Sequence, residues 1–575
     1  MFRIKDHKTG YLFDPWGHLG PKRRKLMEES WAGLFRQEIL NELPVEEIAS
    51  AFSDDFGRPT KELYMAMGSL VLQQMQDLTD EETSNQVAFN LQWQYALGIS
   101  GESDEATYIC PRTLWSLRQL VTEKGLDTVL FDKITAKLVQ IFRVETSRQR
   151  LDSVHIRSNM RHLGRIGIVV QAIHKFLVNV KRQHPDLWRS LPADIVERYF
   201  PEKALGCFSM VKPSESEKTL STVCQDLFRL IQSLGGEEKV LSMSSFQLLH
   251  RVFKEQCAIK ETDSGPVEVS IKPGREVGVN SLQNPSDPEA GYDGHKGQGY
   301  QAQVMETYSE TGGLSLITYA EAESAGFHDT HALLPALEAV QSRDLKPEQV
   351  LVDSAYGSEE NREQAQRLGV EVIAPVTALP AEGRLSLADF TLSDQGEVLG
   401  CPAGHQPFKA WQRKDRHRAF FAVAHCEGCP NRACCPVKPG QGHYYLGYYH
   451  KAFRVARRRQ WQRTEAFKQR YRYRAGIEGS FSALDRRTGI KQLRVRGYKA
   501  VRYCVHLKAA GMNILRASAI QMKKQAKRRA QRAYSACRNL GRLLFKELCG
   551  NFLSFPRPLR PLWSDDYPIS FALTA

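Results

Sequence analysis

The chain has 575 residues, of which 42% are hydrophobic and 25% charged; these are globular values that exclude a disordered, collagen-like or coiled-coil protein. The formal net charge is +14, yet no apolar run reaches the ~18 residues of a membrane helix. The N-terminal MFRIKDHKTGYLF also lacks the apolar centre of a signal peptide, so we expect a cytoplasmic protein with no membrane partner.

The first part of the chain has a helical pattern. Apolar residues recur at spacings of three and four between residues 30 and 145, and Pro111 falls where a helix can begin. These features predict a helical N-terminal domain over residues 1–145. The pattern does not separate a DNA-binding role from simple packing.

A mixed pattern follows. LDSVHI at 151–156 predicts a strand, and residues 165–255 return to helical spacing. Strand patterns resume after residue 265, with the amphipathic segments HALLPALEAVQS and ENREQAQRL between and after the later strands. This alternation predicts a mixed sheet flanked by helices. The segment 270–300 is rich in Gly, Pro, Asn and Asp and predicts a long loop, and residues 452–520 predict helices.

Three carboxylates stand out by their setting. Asp152 is predicted at the front of the 151–156 strand, Asp353 ends the apolar strand of VLVDSAYGS, and Glu478 lies in a predicted helix among arginines. Ligand sites of α/β sheets gather where strands end. Oxygen ligands suit Mg²⁺ or Mn²⁺, and two such ions ~3.5–4 Å apart can activate water and stabilise the leaving oxygen of a phosphodiester. The alternatives are turn-capping aspartates and a Glu478 that only pairs with Arg474.

The cysteines are concentrated in one segment. Five of the twelve lie between residues 400 and 445, where they form CPAGH and CEGCPNRACC. One C-x2-C pair and two further thiolates would make the four-ligand set of a structural Zn²⁺ site. The alternative is a group of reduced thiols without metal. The candidate ligands, four of five, are Cys401, Cys426, Cys429, Cys434 and Cys435.

The positive charge is also concentrated. Residues 451–550 hold 28 Lys+Arg and 4 Asp+Glu, a net of +24, whereas the rest of the chain carries −10. Such a block favours a polyanion, because each cation near a phosphate releases counterions. Aromatic residues alternate with arginine over 443–476, which indicates either base stacking or a helix with an apolar core stripe. The basic run at 523–532 indicates a nonspecific phosphate contact or a solvated helix face.

These pieces resemble the DDE transposases of bacterial insertion sequences, in the group whose catalytic glutamate lies in a Tyr-x2-Arg-x3-Glu-x6-Lys signature. The resemblance rests on DSVHI at 152–156, LVDSAYGS at 351–358 and YRYRAGIEGSF at 471–481, and it covers roughly residues 30–520. Position 485 is Asp where the signature has Lys, and two arginines follow it directly.

The resemblance implies a fold. It implies an α/β protein with an RNase H-like mixed sheet and flanking helices over residues 146–520, after the all-α domain of 1–145. Two insertions would interrupt the sheet domain, a helical one at about 165–260 and a Cys-rich one at about 395–445. A basic and then Pro-rich tail would follow at 521–575.

The resemblance also implies a function. The chain would cut DNA at the ends of its insertion sequence and join the freed 3′-OH ends to target DNA. Asp152, Asp353 and Glu478 would be catalytic and bind Mg²⁺. A homodimer or larger assembly on DNA and a nucleoid-associated location are expected. The implied DNA-binding residues are Tyr471, Arg474, Arg486, Arg487, Lys491, Arg494 and Arg496. The rival functions are an inactive or domesticated DNA-binding protein and a nuclease of general specificity.

Overall fold

A computed structural model describes residues 2–9, 14–53, 59–200, 211–260, 268–278, 280–377 and 382–550. The Pro-rich end of the predicted tail, residues 551–575, lies outside the described residues. The chain divides into two units, one ending at Ser518 and one beginning at Ala519. Within the described ranges, no helix is both long and apolar enough to cross a membrane.

Helices fill the region before the first strand, as predicted. Pro111 opens α8, and Thr79 caps α5 through a capping box with Glu82. A π-helical turn at Phe35–Ile39 follows α2. The bounds are α1 (Pro21–Glu29), α2 (Trp31–Leu34), α3 (Val45–Ala49), α4 (Leu63–Gln76), α5 (Asp80–Phe89), α6 (Leu91–Ala96), α7 (Asp104–Thr107), α8 (Pro111–Glu123) and α9 (Leu126–Phe142).

The first strand, β1 (Arg148–Arg157), begins three residues earlier than the apolar pattern predicted. Asp152 therefore lies inside the strand and not at its front. The polar residues Gln149 and Arg150 are buried, because the fold supplies them with hydrogen-bond partners. A search for apolar residues cannot find such positions.

The helical stretch after β1 packs around a core of its own, which includes Phe176, Leu227 and Leu249. A short antiparallel strand pair closes it. The bounds are α10 (Arg165–Gln183), α11 (Pro185–Ser190), α12 (Ala193–Tyr199), α13 (Ser216–Leu234), α14 (Glu238–Leu241), α15 (Ser244–Gln256), β2 (Cys257–Lys260) and β3 (Glu268–Ile271).

The main sheet continues with β4 (Gly291–Asp293), β5 (Gly297–Thr307), β6 (Ile317–Ser324), β7 (Gln349–Leu351) and β8 (Glu371–Ile373). Strands β4 and β6 both pair with β5, and the order then runs β5-β1-β7-β8. The pairs on the β5 side are antiparallel, whereas β1-β7 and β7-β8 are parallel. The predicted mixed sheet is thus present, but the predicted loop at 270–300 was partly wrong, because it contains β4 and the start of β5.

Helices cover both faces of this sheet. On one face Val154 and Val304 share a single core with α4 and other N-terminal helices. On the other face Leu151 and Met305 pack with α16 (Leu333–Gln341) and near α17 (Glu359–Arg367). Burial on both faces fixes the register of the strands, since a slip of one residue would exchange their faces.

A second, smaller sheet follows, with the order β11-β12-β14-β13 and antiparallel pairs throughout. Its core contains Phe390, Phe421 and Leu446. The bounds are β9 (Thr391–Leu392), β10 (Val398–Gly400), β11 (Lys409–Arg413), β12 (Arg416–Phe421), α18 (Val423–Glu427), β13 (Lys438–Pro439) and β14 (Tyr444–Tyr449).

Helices make up most of residues 450–550, as predicted for 452–520, but residues 489–497 form a non-helical connection that carries an isolated bridge of Gln492 to Arg157. The bounds are α19 (His450–Gln462), α20 (Glu465–Tyr471), α21 (Gly476–Thr488) and α22 (Tyr498–Gly550). In the second unit, residues 523–532 of α22 are almost all exposed, which is compatible with both the phosphate contact and the solvated helix face predicted as alternatives for this basic run.

Candidate active site

Two of the three selected carboxylates belong to neighbouring parallel chain segments: Asp152 lies within β1, and Asp353 lies two residues past the end of β7, which stops at Leu351 and not at Asp353 as predicted. Arg150 of β1 is paired with Leu351 of β7. Asp152 and Asp353 each lie two residues further along, so the parallel register places them side by side at this end of the sheet. The backbone N–H of Ser153 donates to Asp152 Oδ1 at 2.9 Å, and the N–H of Ala355 donates to Asp353 Oδ1 at 2.8 Å.

The surroundings of Asp152 shift its pKa. Burial raises the pKa of Asp152 to about 6; the positive charge of Arg474 opposes this rise, and the negative charges of Asp353 and Asp329 add to it. A carboxyl group whose pKa is raised by desolvation and by like charge is typical of a functional site. A cation bound beside it would favour its charged form.

The third carboxylate is joined to the first by one arginine. Arg474 lies in the 3-10 turn Arg472–Ala475, directly before α21. Its Nη2 donates to Asp152 Oδ2 at 2.6 Å and its Nη1 to Glu478 Oε1 at 3.2 Å. Arg474 is 19% exposed and Glu478 70%. The Arg474–Glu478 pair offered as an alternative is therefore present, and the same guanidinium brings Glu478 toward the aspartates.

A buried charge network holds the start of α21 against β1. Arg150 donates from Nη1 to the carbonyl of Tyr473 at 2.6 Å and from Nε to Glu306 Oε1 at 2.8 Å. Glu306 is fully buried and also accepts from Ser480 Oγ and from Arg516 Nη1, each at 2.7 Å. These partners connect β1, β5, α21 and α22, so the network fixes the turn that carries Arg474.

Gly476, the first residue of α21, packs closely against the side chain of Arg150. A Cβ added to Gly476 would lie 2.2 Å from Arg150 Nη1, so a larger residue would displace the guanidinium. Sequence reasoning missed Arg150 and Glu306. Their only sequence signal was a charged residue within each of two otherwise strand-like segments.

The predicted DNA-binding residues fall into two groups. Tyr471 donates to the carbonyl of Val352 at 3.1 Å and stacks on Phe467, so it supports the backbone beside Asp353, while Arg474 lies in the site. The others lie on exposed surface. They are Arg486, Arg487, Lys491, Arg494 and Arg496.

Two of these exposed arginines have polar partners elsewhere on the protein. Arg494 pairs with Asp77 at 3.0 Å, and Arg496 Nε donates to the carbonyl of Asn159 at 2.9 Å. Asp485, at the position where the signature has Lys, accepts the backbone N–H of Lys491 at 3.1 Å. Asp485 therefore holds the chain that leaves α21.

The carboxylate oxygens form a donor set that suits a hard divalent ion. In the part of the chain that the structure describes, however, no group of three or more His, Cys, Asp or Glu side chains is arranged to hold a metal ion. The guanidinium of Arg474 bridges Asp152 and Glu478 instead. Arg474 is thus the cationic partner of both carboxylates in this structure.

The cysteine segment brings several thiols together. Cys401, Cys426 and Cys435 pack against one core. Burial raises the pKa of Cys426, and the nearby Cys435, Cys401 and Cys429 raise it further. Burial raises the pKa of Cys435, and the nearby Cys429, Cys401 and Cys434 raise it further. The Sγ of Cys434 also donates to the carbonyl of Asn431 at 3.3 Å. The five candidate thiols are therefore neighbours in the fold.

Comparison with known families gives two matches. A family model described as "Transposase DDE domain" matches residues 400–518, and one described as "Transposase domain (DUF772)" matches residues 29–120. The first match contains Glu478, Arg474 and the cysteine segment. Asp152 and Asp353 lie outside both matches. No curated protein and no solved structure matches the chain.

Proposed function

Because a DDE transposase model and a second transposase model match parts of the chain, we propose that it is an insertion-sequence DDE transposase, which cuts phosphodiester bonds at the ends of its element and joins the 3′-OH ends to target DNA. One observation carries the proposal: the parallel pairing of β1 and β7 brings Asp152 and Asp353 alongside each other, and the arginine of the signature joins Asp152 to Glu478.

In this proposal Asp152, Asp353 and Glu478 hold Mg²⁺ or Mn²⁺. The ions would activate the attacking water or DNA hydroxyl and stabilise the leaving oxygen. The protein's own contribution is to align the three carboxylates. β1 and β7 align the two aspartates, and the Arg150–Glu306 network aligns the start of α21. Arg474 balances the negative charge of Asp152 and Glu478 within hydrogen-bond distance of both.

The strand order supports an RNase H-like core for this chemistry. Antiparallel strands β6, β5 and β1 precede the parallel strands β7 and β8 in the sheet. On this basis α10–α15 and the small sheet are insertions into the catalytic domain, and the helices of residues 1–145 are the proposed site of end recognition. Two DNA ends have to be brought together, so we assign a homodimer or larger assembly to the DNA-bound enzyme.

The surface beyond Glu478 supports DNA as the partner. The exposed cations after α21 lie in the +24 block, where each phosphate contact would release counterions. In the proposal they follow the DNA backbone next to the cut. Binding would then weaken steeply with salt, and the loss of one contact such as Arg487 would reduce the log–log salt slope by about 1.

We also assign a structural Zn²⁺ to the cysteine segment, held by Cys401, Cys426, Cys429 and Cys435. Four thiolates leave no open position for catalysis, so the ion would stabilise this segment only. The proximity of these thiols supports the assignment. Since the described residues contain no group already arranged to hold a metal, the ion would draw the four thiolates together when it binds. Cys434 is left out because its thiol donates to a backbone carbonyl.

A cleavage assay tests the main proposal. The purified chain is incubated with Mg²⁺ and a duplex that carries the inverted repeat flanking its reading frame. We expect nicking at the repeat end by the unmutated protein and by Asp186→Asn, whose carboxylate is 98% exposed on α11. Asp353→Asn is expected to bind the duplex without nicking it.

Two results would contradict the proposal. Binding without nicking by the unmutated protein would favour an inactive or domesticated DNA-binding protein. Equal cutting of unrelated duplexes would favour a nuclease of general specificity.

A further inference from the structure

The small sheet has one face made of cations and aromatic rings. Alternate residues of β11, β12 and β14 are paired across the strands, so they form three rows on one face. We call this set the outer face. Its rows are Lys409–Phe420–Tyr445, Trp411–Arg418–Gly447 and Arg413–Arg416–Tyr449.

The opposite face fixes the direction of these side chains. His417, Ala419, Leu446 and Tyr448 alternate with the outer-face residues and are at most 8% exposed. They pack on the core that includes several of the cysteines. Because residues alternate between the faces of a strand, the outer-face side chains are directed to solvent.

The outer face carries four cations and no acidic residue. Arg418 lies between two rings, 5.8 Å from the centre of Trp411 and 5.2 Å from the centre of Tyr445. Arg416 lies 5.0 Å from the centre of the Tyr449 ring. Trp411 is still 39% exposed and Tyr449 47%, so both rings retain free surface.

We propose that the outer face binds single-stranded DNA. Rings at the surface can stack on unpaired bases of any sequence, and neighbouring guanidinium groups can bind the phosphates and stack as well. A duplex offers its phosphates but keeps its bases stacked inside, so the rings would have no partner there. Gly447 lies in the middle row and has no side chain; a Cβ added there would make only ordinary contacts, the nearest at 3.9 Å to Arg418 and Tyr445.

The choice of DNA rests on the proposed function, because cutting and joining at an element end separates strands near the cut. The face itself is independent of the carboxylates. It uses Tyr445 and Tyr449 from the aromatic and basic segment 443–476. Helical aromatics of the same segment, such as Phe453 and Phe467, are buried, which matches the core stripe offered for them.

Fluorescence anisotropy with a labelled 20-nucleotide oligo(dT) tests this proposal on the full-length protein. We expect Trp411→Ala to weaken binding about tenfold, since one base loses its stacking partner. Arg418→Glu should weaken it further. Matched controls are Tyr292→Ala, at a tyrosine that is 39% exposed on β4, and Arg189→Glu, at an arginine that is 80% exposed on α11. Both should bind like the unmutated protein, and circular dichroism spectra check that each variant is folded.

Oligo(dT) binding by Trp411→Ala and Arg418→Glu that equals the controls would overturn the proposal. So would an equal loss of affinity for a 20-base-pair duplex, since that points to a general electrostatic effect. Asp353→Asn separates the two proposals, because it should bind oligo(dT) normally while it fails to cut. If the outer-face variants bind normally and the unmutated protein still nicks, only the single-strand proposal fails.

Discussion

A buried histidine allows a quantitative test of the fold. His506 of α22 is 1% exposed, and its Nδ1 lies 2.8 Å from Oδ2 of Asp127, a fully buried residue of α9. Its Nε2 lies 2.9 Å from the carbonyl oxygen of Ala320 in β6 and 3.6 Å from Glu321. The side chain therefore joins a helix of the N-terminal region, the sheet and α22.

The sign and size of its contribution follow from its pKa. Burial by itself would lower the pKa of His506, but the hydrogen bond to Asp127 and the negative charges of Glu321 and Asp127 outweigh this and raise it to about 9. A histidine in the unfolded chain has a pKa of about 6.5. The stabilisation is therefore fully present below pH ~6.5 and is lost as the pH rises through about 9. At ~1.4 kcal/mol per pKa unit, it amounts to about 3 kcal/mol.

The test compares His506→Gln with the unmutated protein by urea unfolding at pH values from 6 to 10. At pH 6 we expect the variant to have a free energy of unfolding lower by about 3 kcal/mol or more, because Asp127 stays buried with one partner fewer. The difference should shrink as the pH approaches 10. His18→Gln, at an exposed histidine, serves as the control. A difference that stays constant with pH would refute the reasoning, since it would mean that His506 carries no proton in the folded protein.

Two further predictions concern the candidate sites. Gly476→Ala should reduce nicking at least tenfold, because the new Cβ would displace the guanidinium of Arg150. The control is Gly479→Ala in the same helix, which should cut normally because no atom lies within 4 Å of its new Cβ. Equal nicking by the two variants would contradict the positioning role of Arg150. Atomic emission should find one zinc ion per chain in the purified protein. Cys426→Ser should lose the zinc, and Cys434→Ser should keep it. Zinc retained in the Cys426 variant would refute the assigned ligand set.

The sequence by itself determined the elements and the candidate acids. Apolar spacing is a local property, so it was sufficient to predict the N-terminal helices, the strands around Asp152 and Asp353, and the helix of Glu478. The boundaries were less well determined where polar residues are buried. Gln149 and Arg150 extend β1 because distant partners satisfy their side chains, and no local pattern records those partners.

Only the tertiary structure decided which residues meet. Arg474 reaches Asp152 across 322 positions of sequence, and Arg150 reaches Glu306 across 156. These contacts depend on strand order and on the packing of α21 against β1. The outer face has the same origin, since Trp411, Arg418 and Gly447 become one row only when three strands pair in a single register. The periodicity that predicts helices and strands depends on residues that are close in sequence. Ion pairs and exposed faces depend on residues that are distant in sequence and meet only in the folded chain.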